Sequence, residues 1–546
     1  MVEPLIWLID DSRLHRSLFR QQLSEQGIGT QRLMCFEHPK HLLEQPGWDE
    51  VALIIWRDDQ PDGTLGRRLF QELAHSQRLP PFTLLLQLEA HPHSKVLPAE
   101  RPPLSLPFSL SLPLSQDSLA RRLESLVHLL EQQAQLRQSY RDGQYATLCG
   151  QCEDLMLQLE QDADVLEPLK GEVMLRGGML SEAAQYFSLC IMEQGEGWAK
   201  AGLLISLLWQ GKLEAARRFC AQQKHPQTEE NRRLQLLVDL VRQELLDAQQ
   251  TLQALQQQDT DSLDYPLIGQ QLRLILSQPP DLALTTPYRL LSPLNTDFQL
   301  RLWQLASIGQ NWQGLPSAAA RRNLLNQWRQ LASRLGPSHC PLSQQLALAQ
   351  QACYQLDYRL ARERLEPLRM DEEQPATSLL FGASVAELVG LTRLADHYLN
   401  SLTHQLLHQR NAHQDILEYQ LTTLLLQQAR HCLSNRKILQ QTLRQSRQHA
   451  IAGHDFFHAL QLSTQLVRDF GAQPQDSLIA LELLTRVWPS KPVSNQFNRL
   501  LGNLLKILDN CPDMTLQQQR RFNLIRARAM QQRQHQMALR QQQAST

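Results

Sequence analysis

The sequence predicts a small α/β domain followed by an all-α array. Over roughly the first 130 residues, short apolar runs alternate with segments of helical spacing. Beyond about Gln132, apolar residues recur at three and four with few strand-like runs. The composition agrees: aromatics are 6% and glycines number 23 in 546 residues, sparse for a chain of β-sandwiches or barrels. Its length allows about three or four domains.

The elements follow in order. Leu5 to Ile9 is a short buried strand that closes on Asp10 and Asp11. Ser12 to Gln26 is a helix, with Leu14, Leu18, Phe19 and Leu23 at helical spacing and Gly27 and Gly29 ending it. Val51 to Trp56 and Phe82 to Leu88 read as further strands, and Leu65 to Leu73 as a short helix. The prolines at 92, 98, 102 and 103 disfavour a regular helix between Ala90 and Leu106. Leu104 to Leu112 alternates around prolines, and Leu119 to Leu130 is helical. Buried strands alternating with helices predict a parallel sheet.

These residues carry a resemblance. Leu5-Ile6-Trp7-Leu8-Ile9-Asp10-Asp11-Ser12 resembles the first strand and acidic pair of response-regulator receiver domains. Gln60-Pro61-Asp62-Gly63 resembles the loop after their third strand, and Leu106-Pro107-Phe108-Ser109 their Lys-Pro-Phe-Ser element. The resemblance implies a phosphoacceptor aspartate, a Mg²⁺ site, a switch Thr or Ser, and a lysine. Counting back from Asp62-Gly63, the acceptor position falls on Ile55, or on Trp56 with a one-residue slip. The switch position maps to Gln87 and the lysine to Leu106. Acyl-phosphate formation needs a carboxylate nucleophile and a cation clamp. The expectation is therefore a pseudo-receiver that keeps the fold without the chemistry. Asp58 or Asp59, shifted by a bulge, is the alternative acceptor. Asp10 and Asp11 have two readings, helix capping or weak binding of a divalent cation.

The helical part repeats. Gly178 and Gly211 are 33 residues apart, as are Ala183 and Ala216, and Ala248 follows 32 later. Ala361 and Ala395 are separated by 34. Phe187, four residues after Ala183, is a further repeat-packing candidate. This resembles the tetratricopeptide repeat, a helix–turn–helix of about 34 residues. The whole is similar to bacterial proteins that join a receiver to such an array. The expected division is a receiver-like domain over 1–125, repeats over 126–260, and an irregular helical connector over 261–345. Degenerate repeats then occupy 346–512, and a basic, Gln-rich tail 513–546. Stacked repeats predict one continuous solenoid.

Other motifs read plainly. Cys149-Gly150-Gln151-Cys152 matches the spacing of thiol redox motifs, but its helical context favours packing. His91-Pro92-His93 has no third ligand nearby. The sequence holds no phosphate-binding glycine loop, dinucleotide motif or nucleophile elbow. The tail carries arginines at 520, 521, 526, 528, 533 and 540 and no acid from Thr515 onward. It reads as a frayed helix or disordered segment, with an acidic or nucleic-acid partner as the alternative.

Lys plus Arg number 54 and Asp plus Glu 55, so the chain is not globally basic and nucleic acid is not the expected partner. No run approaches the roughly 18 apolar residues of a membrane span, and the N-terminus lacks a signal-peptide pattern. Nine scattered cysteines suit a reducing compartment. The expectation is a cytoplasmic, non-catalytic adaptor without cofactor or metal. Protein partners would bind in the repeat groove, where Arg217, Arg218, Trp198 and Trp209 are candidates. A sensor or regulator would bind at the receiver-like domain.

Overall fold

The computed structural model describes residues 4–37, 45, 47–58, 79–89, 104–159, 162–194, 197–223, 227–258, 264–280, 296–314, 316–333, 341–368, 374–411, 415–470, 473–488, 495–511 and 514–544. The expected helix at Leu65 to Leu73 and the prolyl stretch before Leu104 lie outside these residues.

The first part is a parallel sheet of β1 (Leu5–Ile9), β2 (Leu33–Phe36), β3 (Val51–Asp58), β4 (Leu84–Glu89) and β5 (Leu106–Ser111), ordered β2-β1-β3-β4-β5. The four-residue edge strand β2 has no counterpart in the sequence reading. It is too short, and half exposed, to show a period. Pleating sends alternate residues to opposite faces. Ile6, Leu8, Leu53, Ile55, Leu84 and Leu86 pack with Phe19 and Leu23 of α1 (Arg13–Glu25). Trp7, Ile9, Ile54, Trp56 and Leu85 form the other face with Trp48 and Phe36. The Trp7 and Trp48 rings meet edge to face at 4.6 Å.

The next helix, α2 (Gln116–Arg141), runs straight through the expected boundary at residue 125. Its first half covers the sheet with Leu119, Leu123 and Leu126. Its second half reaches the amino edge of the same sheet. There the Gln133 amide donates to the carbonyls of Ala52 (3.0 Å) and Phe82 (2.6 Å), and Arg137 donates to those of Pro81 (3.0 Å) and Val51 (2.8 Å). One apolar core continues from Ile6 through Leu136 and Leu148 to Val173, and the Leu104 N–H donates to Glu172 Oε1. The sheet and the first helical hairpin are thus one packed body. A cut at 125 would sever the helix that belongs to both.

The array then folds as helical hairpins: α3 (Tyr145–Gln158), α4 (Ala163–Arg176), α5 (Leu180–Gln194), α6 (Gly197–Trp209), α7 (Leu213–Ala221), α8 (Glu229–Val241) and α9 (Leu245–Gln258). A single turn recurs. At Gly178 the backbone is left-handed (φ 70°), its N–H donates to Leu175 O, and the next N–H donates to Met174 O. This double bond closes a helix C-terminus by the Schellman pattern. Gly143, Gly211, Gln243, Leu356, Gly390 and His454 repeat it, all at positive φ with the same pair of bonds. Five residues on stands a fully buried side chain each time: Leu148, Ala183, Ala216, Ala248, Ala361, Ala395 or Ala459. Small side chains there let the two helices approach.

The chain divides into two compact units, the first formed mainly by Met1–Gly269 and the second mainly by Leu300–Leu406 and Thr422–Thr546. Residues 261–345 include the regular helices α10 (Asp264–Ile275), α11 (Thr296–Trp312) and α12 (Ala318–Ala332). The second unit continues with α13 (Pro341–Tyr354), α14 (Tyr358–Leu365), α15 (Ala376–Val389), α16 (Thr392–Asn411) and most of α17 (Ile416–Ala452). It ends with α18 (Phe456–Phe470), α19 (Pro474–Arg486), α20 (Asn495–Asp509) and α21 (Leu516–Ala544). Buried Asp476 binds two arginines of α17, Arg444 (2.6 Å) and Arg447 (2.8 Å). The expected tail is α21. It buries Phe522 and Ala529, pairs Arg521 with Glu482 and Arg526 with Asp509, and so closes the unit as a packed helix.

Candidate functional site

The strand order reverses between β1 and β3. In an open parallel sheet the crevice outside the carboxyl ends at that point is where ligands bind. Asp10 and Asp11 leave β1 there. Ser12 caps α1, accepting from the His15 N–H at 3.4 Å, and this bends the chain so that Asp10 turns inward.

Asp10 is wholly enclosed and Asp11 is 72% exposed. The Asp10 carboxylate is occupied on both oxygens. Oδ1 accepts from the Ser12 N–H at 2.7 Å, and Oδ2 lies 2.9 Å from Nδ1 of His15. The Arg57 guanidinium stands 3.7 Å from Asp10 Oδ1 and 3.4 Å from Asp11 Oδ1. A buried carboxylate needs such partners, since an unpaired one is strongly disfavoured.

The register shows where these positions lie. Ile9 pairs with Trp56, so the residue beside Asp10 is Arg57. Ile55 pairs with Leu8 and is buried in the sheet core, away from the carboxyl edge. Trp56 points to the opposite face. Leu106 begins β5 opposite Leu84 and belongs to the amino end of the sheet. The residue that closes the carboxyl end of β5 is Leu112, joined by a cis peptide to Pro113 just before the Ser115 cap of α2. Gln87 is buried and pairs with Trp56 and Ser109. Asp58 ends β3, but its side chain, Asp59 and the Gln60-to-Gly63 loop lie outside the described residues.

Mg²⁺ requires near-octahedral oxygen coordination. The residues here do not fit it: a guanidinium stands against the two carboxylates where the cation would be needed. Among the described residues, no group of three or more His, Cys, Asp or Glu side chains could hold a metal.

The other candidates lie elsewhere in the chain. Cys149 and Cys152 lie on one buried face of α3, and burial pushes their thiols up to about 11 and about 12, the reverse of an activated cysteine. His91 and His93 fall outside the described residues. The Phe187 ring fits between Gly171 and Gly202, where an added Cβ would stand 2.4 Å and 2.3 Å from it. Trp198 meets Phe187 edge to face, and Trp209 lies 5.2 Å from the Tyr419 ring. Arg217 and Arg218 are exposed. Among the described residues, no helix is long and apolar enough to cross a membrane.

Arg57 and His15 are the site residues that sequence reasoning missed. The Trp56-Arg57-Asp58 string held the signal for Arg57: strand parity places it on the face of Asp10. Compared with protein-family models, with curated proteins and with solved structures, the chain matches none.

Proposed function

We propose that the chain is a non-catalytic signalling adaptor of phosphorelay ancestry. Its receiver-like domain docks a sensor or regulator, and its repeat array binds protein partners. The observation that carries this reading is Arg57 against Asp10 and Asp11. A receiver that accepts phosphate needs a divalent cation and a free acceptor carboxylate at this edge. Here the Arg57 guanidinium stands against both carboxylates, where a divalent cation would be needed. The parallel sheet order and the recurring helical turns are the supports for a receiver-plus-repeat ancestry.

The test is incubation of the full chain with Mg²⁺ and acetyl phosphate, or with beryllofluoride, followed by intact-mass and peptide analysis. No adduct is expected. An acyl phosphate on Asp58 or Asp59 would overturn the reading and make the chain a phosphorylation-responsive regulator.

A further inference from the structure

The helix α21 (Leu516–Ala544) has two faces. One buries Phe522, Ala529 and Gln536, seven residues apart, within the second unit. The other carries a second column at the same spacing: Leu516, Asn523, Met530 and Met537. It faces solvent, with Leu516 76%, Met530 38% and Met537 55% exposed. A seven-residue column drifts only about 20° per heptad on a straight helix, so these side chains stay in line. Arg526 and Arg533 flank the column on one side. Arg520 and Ala527 flank it on the other. No acid occurs from Thr515 to Thr546. Arg526 is paired with Asp509, but no ion pair among the described residues uses Arg520, Arg528 or Arg533.

An apolar seam at heptad spacing with flanking charges is what a second helix packs against, the flanks choosing its charge. Cations on both flanks select carboxylates. A second copy of this helix would set arginine against arginine. Phosphate binding would not call for exposed leucine and methionine, and α21 exposes no Phe, Tyr or Trp ring on which bases could stack. We propose that this face docks an acidic amphipathic helix of a partner protein. Its apolar side chains would cover Leu516, Met530 and Met537, and its glutamates would meet Arg520 and Arg533. The surface is separate from the receiver-like site and does not rest on the reading of Arg57.

The test uses the full chain and a labelled synthetic helix with leucine at the seam positions and glutamate at the flanks. Fluorescence anisotropy is expected to show saturable binding that weakens with salt. Binding at least tenfold weaker is expected for a peptide with lysine flanks, and for the variants Arg520→Glu/Arg533→Glu and Met530→Glu/Met537→Glu. These residues are exposed, and unchanged thermal melting serves as the folding control. Equal binding of the two peptides, or no loss in either variant, overturns the proposal. So does tighter, α21-dependent binding to duplex DNA or to phosphatidylserine vesicles, or self-association abolished by the same substitutions.

Discussion

The Arg57 guanidinium lies within 3.7 Å of an Asp10 oxygen that no solvent reaches, at the point where the sheet reverses its order. It bridges β1 and β3 by charge where their backbone ladder ends. Asp10 therefore has three tethers: a backbone N–H, an imidazole and a guanidinium.

Removing one tether exposes the energetic role of the cluster. Arg57→Ala leaves a buried carboxylate short of a partner and is expected to destabilise the first unit by about 1–3 kcal/mol. Chemical denaturation followed by tryptophan fluorescence would measure it, since Trp7 and Trp56 lie in the adjoining core. A change below about 0.5 kcal/mol would mean that Arg57 is a surface ornament.

Reversing the charge tests the cation-substitution argument. Arg57→Asp gathers three carboxylates at the carboxyl edge and is expected to be destabilised without divalent cations. Saturating Mg²⁺ should then raise its Tm by about 2–4 °C for each kcal/mol of binding linkage. The unsubstituted chain should not respond.

The repeated turns predict opposite signs at two positions. Gly211 is left-handed in open space, with no atom within 4 Å of an added methyl. Gly211→Ala is therefore expected to destabilise by about 1 kcal/mol through backbone conformation alone. Gln243 holds the same conformation at φ 62° with an exposed side chain, so Gln243→Gly is expected to stabilise by about 1 kcal/mol. Denaturation midpoints of the two variants should move apart.

The cysteine pair predicts a pH response. Burial raises the folded thiols to about 11 and about 12, above the ordinary 9.0. A raised folded value means the neutral thiol is favoured by folding. That contribution is whole below about pH 9 and is lost as pH climbs toward 12. Cys149→Ala/Cys152→Ala should flatten the alkaline limb of a stability–pH profile. Alkylation of both thiols in the folded chain at pH 8 should be negligible, and rapid modification would show that α3 is not packed as described.

The division of the protein is tested by its fragments. Residues 1–125 end inside α2 and lack Gln133, Arg137 and the core from Leu126 to Val173. That fragment is expected to show no cooperative thermal transition by circular dichroism. A sharp transition would restore the sequence-based boundary.

Much of the fold is legible in the chain. Local pattern alone marks Leu5 to Ile9 as a strand, because five apolar residues in a row suit a strand buried on both faces. Gly178 with Ala183, and Gly211 with Ala216, give the repeat because a left-handed turn favours glycine and a close helix contact favours a small side chain. Gln243, Leu356 and His454 make the same turn without glycine, and no residue type announces it there. The neighbour of Asp10 was not legible either. Counting along a loop pointed to Ile55, whereas the hydrogen-bond register between strands sets Arg57 in place, and loops change length while register does not. The ordering of α21 likewise comes from tertiary contacts: the Arg521 pair with Glu482, 39 residues before it, and the burial of Phe522 and Ala529. The amino-acid string thus determined most of the strands and helices, the short edge strand β2 excepted, since periodicity is a local property. The tertiary structure decided which charges meet, since that depends on side chains brought together from distant positions.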